Sequence, residues 1–268
     1  MFSHCFLSVI CLVFPPDNNV IPLPNAHAHN DYYHKRPLLD ALDHGFRSVE
    51  ADIFLHKGDL YVAHFWLEIR PKRTLENLYL QPLAKRIRDN NGKVYADDTQ
   101  LLLLIDIKNK GEETYAVLHK QLEKYKDVLT RFTTKKIVKG PVLVVISGAR
   151  PVDTIKKQTV RYAAVDGRIS DLKGQESNKL MPLISSSWGS QFRWTGRGPM
   201  PKDERNKLET IVSTAHKQGK LVRFWATYDR PGPQRTALWD VLADVGVDLI
   251  NTDDLEGLQS YLLKRRKK

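Results

Sequence analysis

Two segments, Leu101-Leu102-Leu103-Leu104-Ile105 and Val142-Leu143-Val144-Val145-Ile146, are apolar at every position. A strand with one solvated face alternates apolar and polar residues, so a run without alternation must be covered on both faces. Parallel sheets walled by helices meet that demand. Six further short runs recur along the chain, giving predicted strands at 22–27, 48–54, 101–107, 142–147, 162–166, 181–185, 221–226 and 248–251. Amphipathic stretches separate them and predict helices at 37–44, 75–89, 112–125, 151–157, 203–218 and 234–245, with only a weak helical signal at 172–180. Pro37 and Pro151 suit a first helical turn. Gly45, Gly219 and Gly246 suit left-handed helix ends. Eight strands in this order within 268 residues predict an α/β fold, a single (β/α)8 TIM barrel over residues 21–262, rather than an open doubly wound sheet. The absence of a glycine-rich phosphate loop after the first strand argues against a dinucleotide fold. A short extra strand at 60–63 should pair beside the second.

In such a barrel, residues at the C-terminal ends of strands line the active site. Here those ends hold His27, His29, Asn30 and Asp31 (first strand), Glu50 and Asp52 (second), Asp106 and Lys108 (third), Arg223 and Trp225 (seventh), and Asn251 and Asp253 (eighth). Glu50 and Asp52 are two apart and share a strand face, with Val49, Ala51 and Ile53 on the other. Two lumenal carboxylates repel unless a cation or proton sits between them. Asp106, from the neighbouring strand, makes three. An all-oxygen set of this kind suits a hard divalent cation, Mg²⁺ or Ca²⁺, better than zinc. The competing expectation is a purely structural ion-pair network of these acids with Lys108 and Arg223. His27, His29 and His64 are candidate proton carriers, because imidazole titrates near neutrality.

The run His27-Ala28-His29-Asn30-Asp31-Tyr32, followed by Pro37-Leu38-Leu39-Asp40-Ala41-Leu42, Gly45-Phe46, Ser48-Val49-Glu50-Ala51-Asp52 and Leu60-Tyr61-Val62-Ala63-His64, resembles the glycerophosphodiester phosphodiesterase and phosphatidylinositol phospholipase C superfamily. Within it the chain is most similar to a His-x-His-Asn-Asp-Tyr branch, and the likeness resumes at Asp106-Ile107-Lys108, Trp225 and Gly246 to Asp253. The resemblance implies a (β/α)8 barrel that hydrolyses phosphoric diesters. It implies a divalent metal on Glu50, Asp52 and Asp106, and acid–base histidines at His64 and at one of His27 and His29. Lys108, Trp225, Asn30 and Arg223 would bind a small phosphodiester or phospholipid headgroup. Phe65 stands where the superfamily commonly has aspartate. Two other classes compete. An amidohydrolase-like metal enzyme would need histidines at the fifth and sixth strand ends, which hold Val165-Asp166 and Ile184-Ser185. A non-catalytic lipid- or ligand-binding barrel would not need both histidine motifs and three carboxylates.

Charge and the termini bound the partners. The chain carries 42 Lys and Arg against 31 Asp and Glu, a net charge of +11, and residues 263–268 form a basic tail. Such a balance attracts anions, including an anionic membrane surface. The basic residues lack the aromatic interleaving of a strand-binding groove, so nucleic acid is not expected. The apolar run from Cys5 to Phe14, followed by Pro15-Pro16, reads as a signal peptide within residues 1–20, and hence as export to a periplasmic or extracellular space. Both cysteines, Cys5 and Cys11, lie within it, so a processed chain would hold no disulfide.

Overall fold

The computed structural model describes residues 20–267; the expected signal segment, residues 1–19, lies outside the described residues. Eight parallel strands close into a barrel: β1 (Leu23–Ala28), β2 (Phe46–His56), β3 (Leu101–Ile107), β4 (Val142–Gly148), β5 (Ala164–Gly167), β6 (Leu183–Ser187), β7 (Leu221–Trp225) and β8 (Leu249–Thr252). Each pairs with the next in chain order, and β1 pairs with both β2 and β8, which closes the ring. The expected extra strand is present as Asp59–Val62, antiparallel to the end of β2.

Strand parity divides the interior into two cores. Val49, Ala51, Ile53, Leu103, Ile105, Val144 and Ile146 face outward into the layer beneath the helices. Leu102, Leu104, Val145, Ala164, Leu183 and Leu249 face inward and pack with Phe132 in the lumen. The fully apolar strands thus bury both faces, as their sequence requires. Phe132 belongs to a small three-stranded sheet, Arg131–Thr133, Ile137–Val138 and Val160–Arg161, lying before β4 and β5 at the N-terminal end of the barrel. Strands of two and three residues carry no readable periodicity, and this sheet had no sequence signal.

Most helices lie within two residues of their predicted bounds. The exceptions have local causes. In 75–89 the helix opens as a π-turn, Glu76–Leu80, before α-helix Gln81–Asp89; Pro82 lacks the N–H that regular helix would direct to Leu78. After β5 there is only a 3-10 turn, Ile169–Lys173, because the polar run Lys173 to Lys179 offers no apolar stripe. A helix not anticipated, Leu255–Arg266, packs Leu255, Leu258 and Leu262 and takes up Lys264, Arg265 and Arg266 as its last turn. Asp254 caps it by accepting the Gly257 N–H. Gly45, Gly219 and Gly246 are all left-handed. No described helix is long and apolar enough to cross a membrane.

Candidate active site

The upper lumen is polar. Parallel register sets Asp52 beside Asp106, and with Glu50 they offer carboxylate oxygens all within 4.8 Å of one another. A cavity of about 300 Å³ opens above them, lined by the three acids with His29, Asn30, His64, Lys108, Ser147, Gly148, Arg168, Arg223 and Trp225. Gly148 is left-handed, and a Cβ there would fall 2.4 Å from Asp106 Oδ1; glycine keeps the carboxylate accessible.

The ion pairs of the competing structural network do form. Arg223 donates to Glu50 at 2.7 Å and to Asn251 at 2.9 Å, and Lys108 Nζ lies 2.8 Å from Asp52 and 3.3 Å from Asp106. They do not complete the site. Asp52 Oδ1 is buried without a hydrogen-bond partner, a costly state for a carboxylate. Burial, and next the charge of Glu50, raises the Asp52 pKa despite Lys108. Burial likewise pushes Asp106 up to about 6, with Lys108 opposing and Asp52 and Glu50 adding to the rise. Burial would raise Glu50 as well, but Arg223 and the hydrogen bond from His27 hold it below the usual carboxylate range. An orphaned oxygen and two carboxylates short of positive charge fit a divalent cation on an all-oxygen donor set.

The histidines separate by depth. His27 is fully buried beneath the acids. Its Nε2 donates to Glu50 Oε2 at 3.4 Å, and its Nδ1 accepts from Ser48 Oγ at 2.7 Å. Burial, then Arg223, lowers its pKa to about 3, so it stays neutral. His29 lies past the end of β1, on the cavity, with Nδ1 2.7 Å from Asp253 Oδ1. His64 follows the short antiparallel strand, with Nδ1 2.8 Å from Asp52 Oδ2. A carboxylate can only accept, so both Nδ1 atoms carry the proton and both Nε2 atoms are left for exchange.

Asn30, at φ 49°, ties the two pairs together. Its amide nitrogen donates to Asp253 Oδ1 at 3.2 Å. The buried Tyr32 hydroxyl lies 2.6 Å from Asn30 Oδ1, 2.7 Å from Asp52 Oδ2 and 3.1 Å from His64 Nδ1. Asn30 therefore spends its amide on this network, and Arg223 spends its guanidinium on Glu50 and Asn251. Trp225 stands at the mouth, 42% exposed. Three participants had not been singled out. Arg168 reaches the cavity, paired with the buried Asp166 at 2.7 Å, and Ser147 donates to the same carboxylate at 2.8 Å. Tyr32 lay inside a recognised motif without a role. The fifth and sixth strand ends, where an amidohydrolase-like site needs histidines, present Asp166 and Ser185 to Ser187.

Two solved structures share this fold. A glycerophosphodiester phosphodiesterase from Agrobacterium tumefaciens superposes with a TM-score of 0.52 at 15% identity, over 89% of this chain and 99% of that one. A calcium-dependent phosphoinositol-specific phospholipase C from a Pseudomonas species gives 0.51 at 10% identity, over 85% and 88%. By sequence, the chain is 30% identical to the altered inheritance of mitochondria protein 6 homolog of Arthroderma benhamiae, over 92% of this chain and 87% of that one. It is 32% identical to altered inheritance of mitochondria protein 6 of Eremothecium gossypii, over 89% and 69%. The model of the AIM6-like phosphodiesterase domain matches residues 17–166, the segment that carries every histidine and acid lining the cavity. The chain belongs to the AIM6-like phosphodiesterase domain family.

Proposed function

We propose that the chain is a metal-dependent phosphoric diester hydrolase acting on a glycerophosphodiester or a phospholipid headgroup, with His29 and His64 as its acid–base pair. The observation that carries this reading is the pairing of two imidazoles, each oriented through Nδ1 by a carboxylate, on the same cavity as an incomplete acidic cluster. A carboxylate behind an imidazole fixes its tautomer and stabilises the protonated ring. Glu50, Asp52 and Asp106 would hold the cation, Mg²⁺ or Ca²⁺, which would neutralise charge on a phosphate oxygen and polarise the phosphorus. Lys108 and Arg168 are the cavity cations that meet the remaining non-bridging oxygens. Nε2 of one histidine takes the proton of the attacking hydroxyl as the new P–O bond forms. Nε2 of the other protonates the leaving oxygen as the old bond breaks. His27 lies too deep to touch the substrate and serves to hold Glu50. Trp225 supplies an apolar wall for the glycerol or headgroup.

A panel of glycerophosphodiesters, lysophospholipids and phosphoinositides, assayed with and without chelator, tests the reading. Chelator-sensitive cleavage of at least one diester is the expected result. Cleavage indifferent to chelator, or none across the panel with Mg²⁺ or Ca²⁺ added, contradicts it.

A further inference from the structure

Three large apolar residues in succession are seldom left in water without a purpose. Phe65, Trp66 and Leu67 are 61%, 49% and 86% exposed, and they directly follow His64. The turn that presents them, Trp66–Glu68, is well tied down. Glu68 Oε2 accepts the N–H groups of both His64 and Phe65 at 3.0 Å, and the Tyr33 hydroxyl donates to the same carboxylate at 2.9 Å. Arg70 donates to the carbonyls of Leu67 and Ile69. The Trp66 ring packs edge-on against His56 and Phe54, with centroids 5.0 and 5.7 Å apart. Exposure of the tip is therefore built in, not a product of fraying.

The charge around the tip is one-sided. Segment 65–73 carries Arg70, Lys72 and Arg73 against one acid, Glu68, and that acid is occupied by backbone and Tyr33. Arg73 donates to the Tyr32 carbonyl, which joins this segment to the one bearing Tyr33 and Lys35. An aromatic and aliphatic tip inside a cationic rim is the combination that seats proteins in the interface of an anionic bilayer. The basic last turn of the C-terminal helix does not share this surface, since Arg265 and Arg266 lie against Leu23 and Pro24 at the other end of the barrel.

We propose that the Phe65–Leu67 turn is a membrane-docking element that inserts into anionic bilayers and brings the cavity onto phospholipid headgroups. The docking stands on the surface alone; only the identity of the substrate as a membrane phosphodiester rests on the function proposed above.

The test is sedimentation of the full chain with vesicles of phosphatidylcholine, or of phosphatidylcholine mixed with phosphatidylserine. Binding to the mixed vesicles is expected. Leu67→Asp should lower it by about tenfold or more, the effect of withdrawing one large apolar side chain. Lys72→Gln should lower it by about fivefold, and only on the anionic vesicles. Both variants should melt where the parent does and should cleave a soluble diester at the parent rate. Absence of binding to mixed vesicles, or a Leu67→Asp variant that binds as the parent does, overturns the docking. So does a Leu67→Asp variant whose only change is loss of self-association in sedimentation velocity. Vesicle binding by a chain that cleaves no diester would retain the docking and remove the phosphodiesterase reading.

Discussion

The two halves of the barrel lumen are built by the same eight strands and have opposite chemistry. The lower half packs Leu102, Leu104, Val145, Leu183 and Leu249 around Phe132, with the Arg161 guanidinium over the Phe132 ring at 3.9 Å. One step further along the same strands, the inward positions become Glu50, Asp106, Ser147, Asp166 and Arg223. The lumen of the lower half is lined by apolar side chains, and the Arg161 guanidinium donates to the Ala163 and Lys179 carbonyls. The upper half is polar, with the buried atoms Asp52 Oδ1, Asp166 Oδ1 and Ser185 Oγ lacking partners. Stability should reside below and chemistry above, and substitutions can separate the two.

The largest effects should come from the upper rim. His29→Ala or His64→Ala should lower kcat by about 10² to 10⁴ with little change in melting temperature, if each exchanges a proton in the reaction. His27→Ala should instead act through the geometry of Glu50, so that lost cation affinity accompanies any lost turnover. In the lower half, Phe132→Ala should lower unfolding stability by about 3 kcal/mol in denaturant titrations while leaving kcat/KM of the proposed diester cleavage near the parent value. A large loss of turnover there would break the division. Tyr32→Phe sharpens it on the upper side. The ring still packs, but the hydroxyl that meets Asn30, Asp52 and His64 is gone, and kcat should fall by roughly 10- to 100-fold.

The smallest effect is a pH slope. Burial pushes Asp31 up to about 7, against the Leu38 N–H and the Tyr79 hydroxyl that favour its charged form. An unfolded aspartate titrates near ~4, so between roughly pH 4 and 7 the folded chain holds the extra proton. This residue's contribution to stability is therefore present at low pH and is lost as pH rises through about 7. Asp31→Asn mimics the protonated form and should flatten the fall in melting temperature across that window; an unchanged slope would place the titration elsewhere.

The eight strands were legible because burial on both faces leaves an unmistakable composition, and the acidic trio because parity puts Glu50 and Asp52 on one face. What could not be read follows from depth and from short elements. His27 and His29 share parity, but β1 ends at Ala28, so only the latter escapes onto the cavity. No spacing reports where a strand stops to that accuracy. Arg168 and Ser147 are polar residues at strand ends and were open to the same reading as Lys108, yet lay outside the recognised motifs. The C-terminal helix went unread although Leu255, Leu258 and Leu262 form an apolar stripe, because its charged last turn reads as a solvated tail. Export is a matter for the segment before residue 20, on which the barrel has no bearing.

The unsatisfied acids of the upper lumen should hold a cation needed for diester cleavage. Turnover of the best diester against free Mg²⁺ or Ca²⁺, in the parent and in Asp52→Asn, tests this most directly. Saturable dependence in the parent, with both turnover and its cation dependence lost in Asp52→Asn, is predicted. Full turnover in chelator, or an Asp52→Asn variant that responds to cation as the parent does, would mean that these acids hold no catalytic cation.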